Sequence, residues 1–121
     1  MNFAKRVFRI AGIYGLLVIA PMYFAENQMN RDFPPAITHP EHFYGFIGVT
    51  LAWQIAFLVI AGNPSRFRSM MLPAMVEKFS CIAIFILYAQ QRVPFLLVGF
   101  GLIDLVLGIL FVFAFLRTPK I

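Results

Sequence analysis

Three ionisable residues, Glu77, Lys78 and Asp104, lie inside stretches of sequence that are otherwise apolar enough to cross a membrane. Placing a charged side chain at the centre of a bilayer costs about 2.5 to 3.5 kcal/mol even on lenient insertion scales. These residues must therefore face one another, a partner or a water-filled cavity. Two carboxylates and one amine in such a place can form an ion pair, hold a proton or bind a ligand between helices.

Two further polar side chains are expected at a similar depth, because the helix rise of about 1.5 Å per residue places them within a turn of the charged residues. We expect one intramembrane polar cluster in the cytoplasmic half of the bilayer, formed by Tyr14, Gln54, Glu77, Lys78 and Asp104. A purely structural interpretation pairs Lys78 with Asp104 and Gln54 with Glu77. Such bonds between helices would fix their order in the membrane.

The same cluster has a functional interpretation. It carries one net negative charge if all three ionisable groups are charged, and this state is costly in a medium of low dielectric. One carboxyl is then expected to hold a proton, or to meet a snorkelling Arg9 or Arg66. Glu77 and Asp104 would form a protonatable pair suited to a proton-linked carrier or to a binding protein.

Other residues with chemical potential lie outside this cluster. In the run HPEHFYG, His39 and His42 are weak candidates for a metal site, because a His-x-x-His pair lacks a third fixed ligand. His42 could also ligate a haem or a chlorophyll, but an interfacial helix start explains both histidines more simply. Trp53, next to Gln54, faces either lipid or a ligand cavity, where it would be a cavity aromatic. No metal is assigned, and the cofactor is unknown.

The elements that carry these residues follow from composition. The chain has 121 residues, of which 61% are hydrophobic and only 12% charged, about half the charged fraction of a soluble domain. The apolar residues form blocks long enough to cross about 30 Å of hydrocarbon. They predict an all-α integral membrane protein, a single domain folded as a four-helix up-down-up-down bundle. The expected helices are 7–25, 42–62, 69–90 and 94–116, with an outer loop at 26–41 and Pro21 kinking the first helix or marking its last turns.

The basic residues predict the orientation. One side of the membrane would carry Lys5, Arg6, Arg9, Arg66, Arg68, Arg117 and Lys120, and the other only Arg31 and Arg92. The positive-inside rule then places both termini and the middle loop in the cytoplasm. We expect a multi-pass protein of the bacterial cytoplasmic (inner) membrane whose net charge of +5 meets anionic lipid headgroups in the bilayer and not nucleic acid. The first block is interpreted as a retained helix, since no small-x-small cleavage pattern ends it.

Small residues predict where helices touch closely, because membrane helices associate through packing of small side chains. On the second helix Gly45, Gly48 and Ala52 fall on one face, and on the fourth Gly101 and Gly108 flank Asp104. This arrangement indicates that Asp104 points into the bundle.

Enzymatic machinery is not evident. Cys81 is the single cysteine, so no intramolecular disulfide forms and a packing role is expected. Ser69 and Ser80 have no nearby histidine to activate them. An enzyme that uses Glu77 or Asp104 as a general acid on a lipid-like substrate is the least favoured hypothesis.

The runs HPEHFYGF from His39, LAWQ from Leu51, LPAMVEK from Leu72 and GLIDLVLG from Gly101 resemble a group of small bacterial four-helix membrane proteins. Size and layout are similar to the DoxX-like superfamily, which implies a fold and no particular chemistry. The first functional hypothesis is a non-catalytic accessory or assembly subunit, packed against other membrane subunits or against itself. The alternative is a proton-linked carrier or binder of a small amphipathic molecule that uses Asp104 and Glu77.

Overall fold

Helices form all of the regular structure in this computed structural model, which describes residues 2–119 and contains no strand within them. The elements, in chain order, are α1 (Asn2–Ile19), a 3-10 helix (Ala20–Phe24), α2 (Glu26–Asp32), α3 (Pro40–Gly62), a 3-10 turn (Arg68–Met70), α4 (Met71–Phe79), α5 (Ile82–Ala89) and α6 (Phe95–Arg117).

Four segments are long and apolar enough to cross a membrane: Asn2–Phe24, Pro40–Gly62, Arg68–Ala89 and Phe95–Arg117. We call them the first to fourth spans. They agree with the predicted class, an all-helical chain with the composition of a multi-pass membrane protein. The first span begins earlier than the predicted start at residue 7, because its basic first turns are also helical.

Two of the spans change their geometry partway along. In the first, α-helix gives way to 3-10 helix at Ala20, next to Pro21, whose missing N–H cannot continue the pattern of backbone bonds. The third was predicted as one helix over 69–90, but it is broken between α4 and α5. There the Ser80 hydroxyl donates to the Glu77 carbonyl over 2.6 Å, a side-chain bond that competes with the helical backbone ladder.

The predicted outer loop at 26–41 is partly helical. Glu26 lies in the first turn of α2 and Arg31 in its last. Each charge is opposite in sign to the partial charge of the helix dipole at that end, which stabilises the helix. The Tyr44 hydroxyl donates to Glu26 Oε1 over 2.9 Å, and the Ile37 N–H donates to Asn30 Oδ1 over 2.7 Å. The first bond ties segment 26–39, which we call the cap segment, to α3, and the second lies within the cap segment.

The spans pack as two pairs. α1 lies along α3, while α4 and α5 lie along α6; α1 also contacts α6, and α4 contacts α3. The core lies in the half of the bundle that holds the start of α1 and the end of α6. Its centre is three fully buried rings, with Phe8 stacked on Phe111 at 4.2 Å between centroids and Phe57 edge-on to Phe111 at 5.0 Å.

Arg68 closes this half of the bundle. Its Nε donates to the backbone carbonyls of Phe115 and Thr118, at 3.2 and 2.8 Å, and its guanidinium lies 3.8 Å above the Phe115 ring. The last carbonyls of a helix have no partner within the helix. Arg68 therefore satisfies the end of α6 and holds it against the turn before α4.

Close approach between the first two spans depends on Gly12 and Gly15 of α1. A Cβ at Gly12 would lie 2.8 Å from the Leu58 side chain and 2.9 Å from the Gln54 carbonyl oxygen, and a Cβ at Gly15 would overlap the Gln54 side chain. The two glycines therefore set the distance between α1 and α3.

The prediction that Gly45, Gly48 and Ala52 of the second span form a packing face is wrong for contacts within the chain. Gly45 has nothing within 4 Å of a Cβ position, and Gly48 meets only the Tyr23 hydroxyl at 3.5 Å. Ala52 is exposed. Every side of α3 is apolar, so small residues alone did not identify the side that faces the bundle.

On the fourth span the prediction agrees with the structure. Gly101 and Gly108 are buried. A Cβ at Gly101 would lie 3.2 Å from the Phe85 ring, and one at Gly108 would lie 3.1 Å from the Phe79 ring and 3.3 Å from Lys78 Cβ. The close contact at Gly108 brings the Lys78 backbone onto α6.

Exchanging Gly12 for Ala should destabilise the bundle, because the new methyl group would meet the α3 backbone. We expect Gly12→Ala to lower the free energy of unfolding by about 1 to 3 kcal/mol, the usual cost of overpacking. The matched control is Gly45→Ala, which enters open space and should be neutral or stabilising by up to about 1 kcal/mol. Helix content followed during detergent-induced unfolding measures both, and equal stability of the two variants would contradict the assigned contact.

Candidate functional site

A cavity of about 530 Å³ lies among the four spans, on the side of the bundle away from the aromatic core. We call it the central cavity. Its walls come from Tyr14, Gly15, Val18, Ile19 and Met22 of the first span, Phe46, Thr50 and Gln54 of α3, Glu77, Lys78, Ser80, Cys81 and Ile84 of the third span, and Leu96, Leu97, Phe100 and Asp104 of α6. All five members of the predicted polar cluster are among them.

The break in the third span explains why this half of the bundle is open. α4 contacts both α3 and α6, whereas α5 packs along α6. The break at Ser80 and Cys81 falls at the level of the charged residues, and both of these residues line the cavity. Beyond it, α5 does not fill the space in front of α1 and α3, and that space is the central cavity.

Lys78 is the centre of the charged group. Its Nζ lies 3.2 Å from Asp104 Oδ1 and 3.7 Å from Glu77 Oε2. The exposed fractions of the three side chains are 3% for Lys78, 20% for Glu77 and 32% for Asp104. The predicted Lys78–Asp104 pair is therefore present, with the ammonium buried and the Asp104 carboxylate reaching the cavity. The Phe57 ring, 5.3 Å from Nζ, adds a cation–π contact.

The predicted bond between Gln54 and Glu77 is wrong. Gln54 Nε2 donates instead to the Thr50 carbonyl, one turn earlier in α3, over 2.9 Å. This bond settles the orientation of the amide, because the opposite orientation would set two oxygens against each other. Gln54 Oε1 and Glu77 Oε2 are the buried side-chain atoms of the described chain that have no hydrogen-bond partner.

The expected snorkelling arginines do not reach the carboxylates. Arg9 is exposed on α1. Arg66 is exposed in the turn after α3, where its guanidinium lies 5.4 Å from the Phe67 ring centroid. The charged group is therefore left with one ammonium, that of Lys78, for two carboxylates.

The cap segment adds two apolar residues that the sequence analysis did not include. Met29 and Phe33 line the central cavity beside Met22. The signal in the sequence was their large apolar side chains within a loop that is largely polar. Elsewhere the wall reaches the outer surface of the bundle, since Phe46 and Phe100 are 51% and 40% exposed.

Trp53 and the two histidines lie elsewhere. Trp53 does not line the central cavity and packs toward Phe57 at 6.4 Å between ring centroids, so of the two interpretations left open for it, the cavity aromatic is not supported. The His39 and His42 rings are 5.0 Å apart, and His39 Nδ1 lies 3.7 Å from Glu41 Oε1 on the exposed surface. Within residues 2–119, no three His, Cys, Asp or Glu side chains lie close enough together to hold a metal ion.

Comparison of the chain with protein-family models, with curated proteins and with solved structures finds no match. The DoxX-like resemblance therefore stays a prediction, and the site is interpreted from its own geometry.

Asp104 and Lys78 should be energetically coupled. Asp104→Asn leaves the ammonium with only the more distant Glu77 carboxylate, and removing one partner of a buried pair is more costly than removing both. In a double-mutant cycle with Lys78→Met, we expect Asp104→Asn to be less destabilising when Lys78 is already replaced, with a coupling energy of about 0.5 to 3 kcal/mol. Unfolding of the four proteins in mixed micelles provides the measurement. Strictly additive effects would show that the pair contributes nothing to stability.

Proposed function

We propose that this protein binds a small amphipathic molecule in the central cavity, as a proton-linked carrier or binding protein of the bacterial cytoplasmic membrane. The observation that carries this proposal is the cavity itself. Ligand sites typically measure about 300 to 1,000 Å³ and are mostly apolar with a few convergent polar groups. The central cavity, at about 530 Å³, has apolar walls and a charged group at one place.

The roles of the residues follow from their exposure. Asp104, whose carboxylate is the most exposed of the three charged groups, would contact the polar head of the ligand. Lys78 would position Asp104 through its short contact to Oδ1. Glu77 would accept the proton that balances the charge when the cavity is empty, while Val18, Phe46 and Phe100 would contact the apolar body.

The basic residues support an orientation with both termini in the cytoplasm. Lys5, Arg6 and Arg9 lie in the first half of α1, Arg66 in the turn after α3, Arg68 at the start of the third span, and Arg117 at the end of α6. Lys120 lies outside the described residues. In an up-down-up-down bundle these positions share one end, where anionic headgroups would meet them.

A second candidate is an accessory or assembly subunit of a membrane complex, or a homo-oligomer. The outward face of α3 favours it, since Gly45, Gly48 and Ala52 are small residues that make almost no contact within the chain. A helix of a partner subunit could approach such a face closely.

Native mass spectrometry of the untagged protein, extracted from its own membrane in mild detergent, tests both candidates. Binding predicts a non-lipid small molecule on the protein, lost in Val18→Phe, which fills the cavity from α1. The control is Val49→Phe, the same change at a position that is 64% exposed on α3, and it should retain the molecule.

A protein that carries no small molecule and migrates with stoichiometric partner chains would overturn the binding function in favour of assembly. Retention of the molecule by Val18→Phe would place its site outside the central cavity. Loss of the molecule from both valine variants would show that its loss from Val18→Phe is not specific to the cavity, and would count against the proposed site.

A further inference from the structure

The charged groups around the central cavity do not balance. Glu77 and Asp104 contribute two carboxylates, and Lys78 contributes the single ammonium; the other side chains that line the cavity are uncharged at neutral pH. When all three are ionised, one negative charge remains in a medium where an unbalanced charge is expensive. A bound cation would neutralise this charge and remove that cost. A bound anion would raise the net negative charge and would find no unpaired cation among the described residues that line the cavity.

The unpaired hydrogen-bonding groups at the cavity also favour a cationic ligand. Lys78 donates to Oδ1 of Asp104, and the Asp104 side chain, which is 32% exposed, lines the cavity. Glu77 is 3.7 Å from the ammonium, which is beyond hydrogen-bond distance. Gln54 Oε1, on a side chain that is 99% buried, is also unpaired. The buried atoms of residues 2–119 that are left without partners, Gln54 Oε1 and Glu77 Oε2, are both acceptors, so the complementary ligand group is a donor.

The remaining wall constrains the rest of the ligand. It is formed mainly by aliphatic and aromatic side chains, and Phe46 and Phe100 continue it to the outer surface of the bundle. A hydrated metal ion would leave these apolar surfaces uncovered. A molecule with a hydrophobic body covers them and places only its head at the carboxylates.

We infer that the ligand is a hydrophobic molecule with one cationic, N–H-bearing head, a protonated amine or an amidine, held by Asp104 and Glu77. The inference rests on the proposed binding function and adds the charge class of its ligand. Lys78 stays paired to Asp104 Oδ1 when the ligand binds, and the head donates to the second Asp104 oxygen and to the Glu77 carboxylate. Such charge-assisted bonds are roughly twice as strong as neutral ones.

Three probes with the same aromatic body test this charge preference: 1-naphthylmethylamine, 1-naphthylmethanol and 1-naphthoate. Binding is measured by equilibrium dialysis with the protein in nanodiscs of zwitterionic lipid, after subtraction of the amount taken up by empty nanodiscs. The amine should bind about tenfold or more tighter than the alcohol, and the naphthoate weakest of all.

Variants assign the preference to the carboxylates. Asp104→Asn should reduce the preference for the amine about tenfold, and Asp104→Glu should restore much of it. The matched control is Asp32→Asn, which removes the same charge from the exposed end of α2 and should leave the preference unchanged. Circular dichroism of each variant confirms that its helices are retained.

The outcomes separate the inference from the function on which it rests. Equal binding of the three probes, abolished by Val18→Phe, would leave the binding function standing and overturn the cationic ligand. Preferred binding of the naphthoate, or an amine preference that survives both Asp104→Asn and Glu77→Gln, would overturn it as well. Failure of every probe to bind above empty nanodiscs would count against the function and the inference together.

Discussion

The arrangement of the bundle depends on the ammonium of Lys78, which is buried near the middle of a segment apolar enough to span a membrane. An ammonium in such a place requires a counter-charge within reach, because water cannot solvate it. The Asp104 carboxylate supplies that counter-charge from α6, and the contact of Lys78 Cβ with Gly108 shows how closely the two helices approach. This pair thereby sets the register of the third span against the fourth.

The two halves of the molecule are packed differently. One half is filled by the three stacked and edge-on rings of Phe8, Phe57 and Phe111 and is closed by Arg68 at the end of α6. The other half is less tightly packed and contains the central cavity. Because interior side chains normally fill space at crystal-like density, a void of this size is a departure from what stability alone favours. The packed half holds the spans together, and the open half would accommodate the proposed ligand.

Much of the site could be predicted because depth along a helix is a simple function of residue number. The rise per residue placed Tyr14 and Gln54 near the charged residues without any knowledge of packing, and the glycines around Asp104 indicated its direction. The failures concern helix faces. Gly45 and Ala52 lie on the outer side of α3. In a chain whose spans are apolar all round, the pattern of hydrophobicity does not distinguish the inward side from the outward side.

The amino-acid sequence by itself determined the class of the protein, the number of candidate spans and the requirement that Glu77, Lys78 and Asp104 be shielded together. These follow from properties that add along the chain: segment length, hydropathy and the cost of placing charge in an apolar medium. Only the tertiary structure decided that the third span breaks at Ser80, that Gln54 bonds to its own helix and that a cavity opens beside Asp104. A cavity is a gap between helices distant in sequence, so it depends on how whole helices pack and not on any segment taken alone.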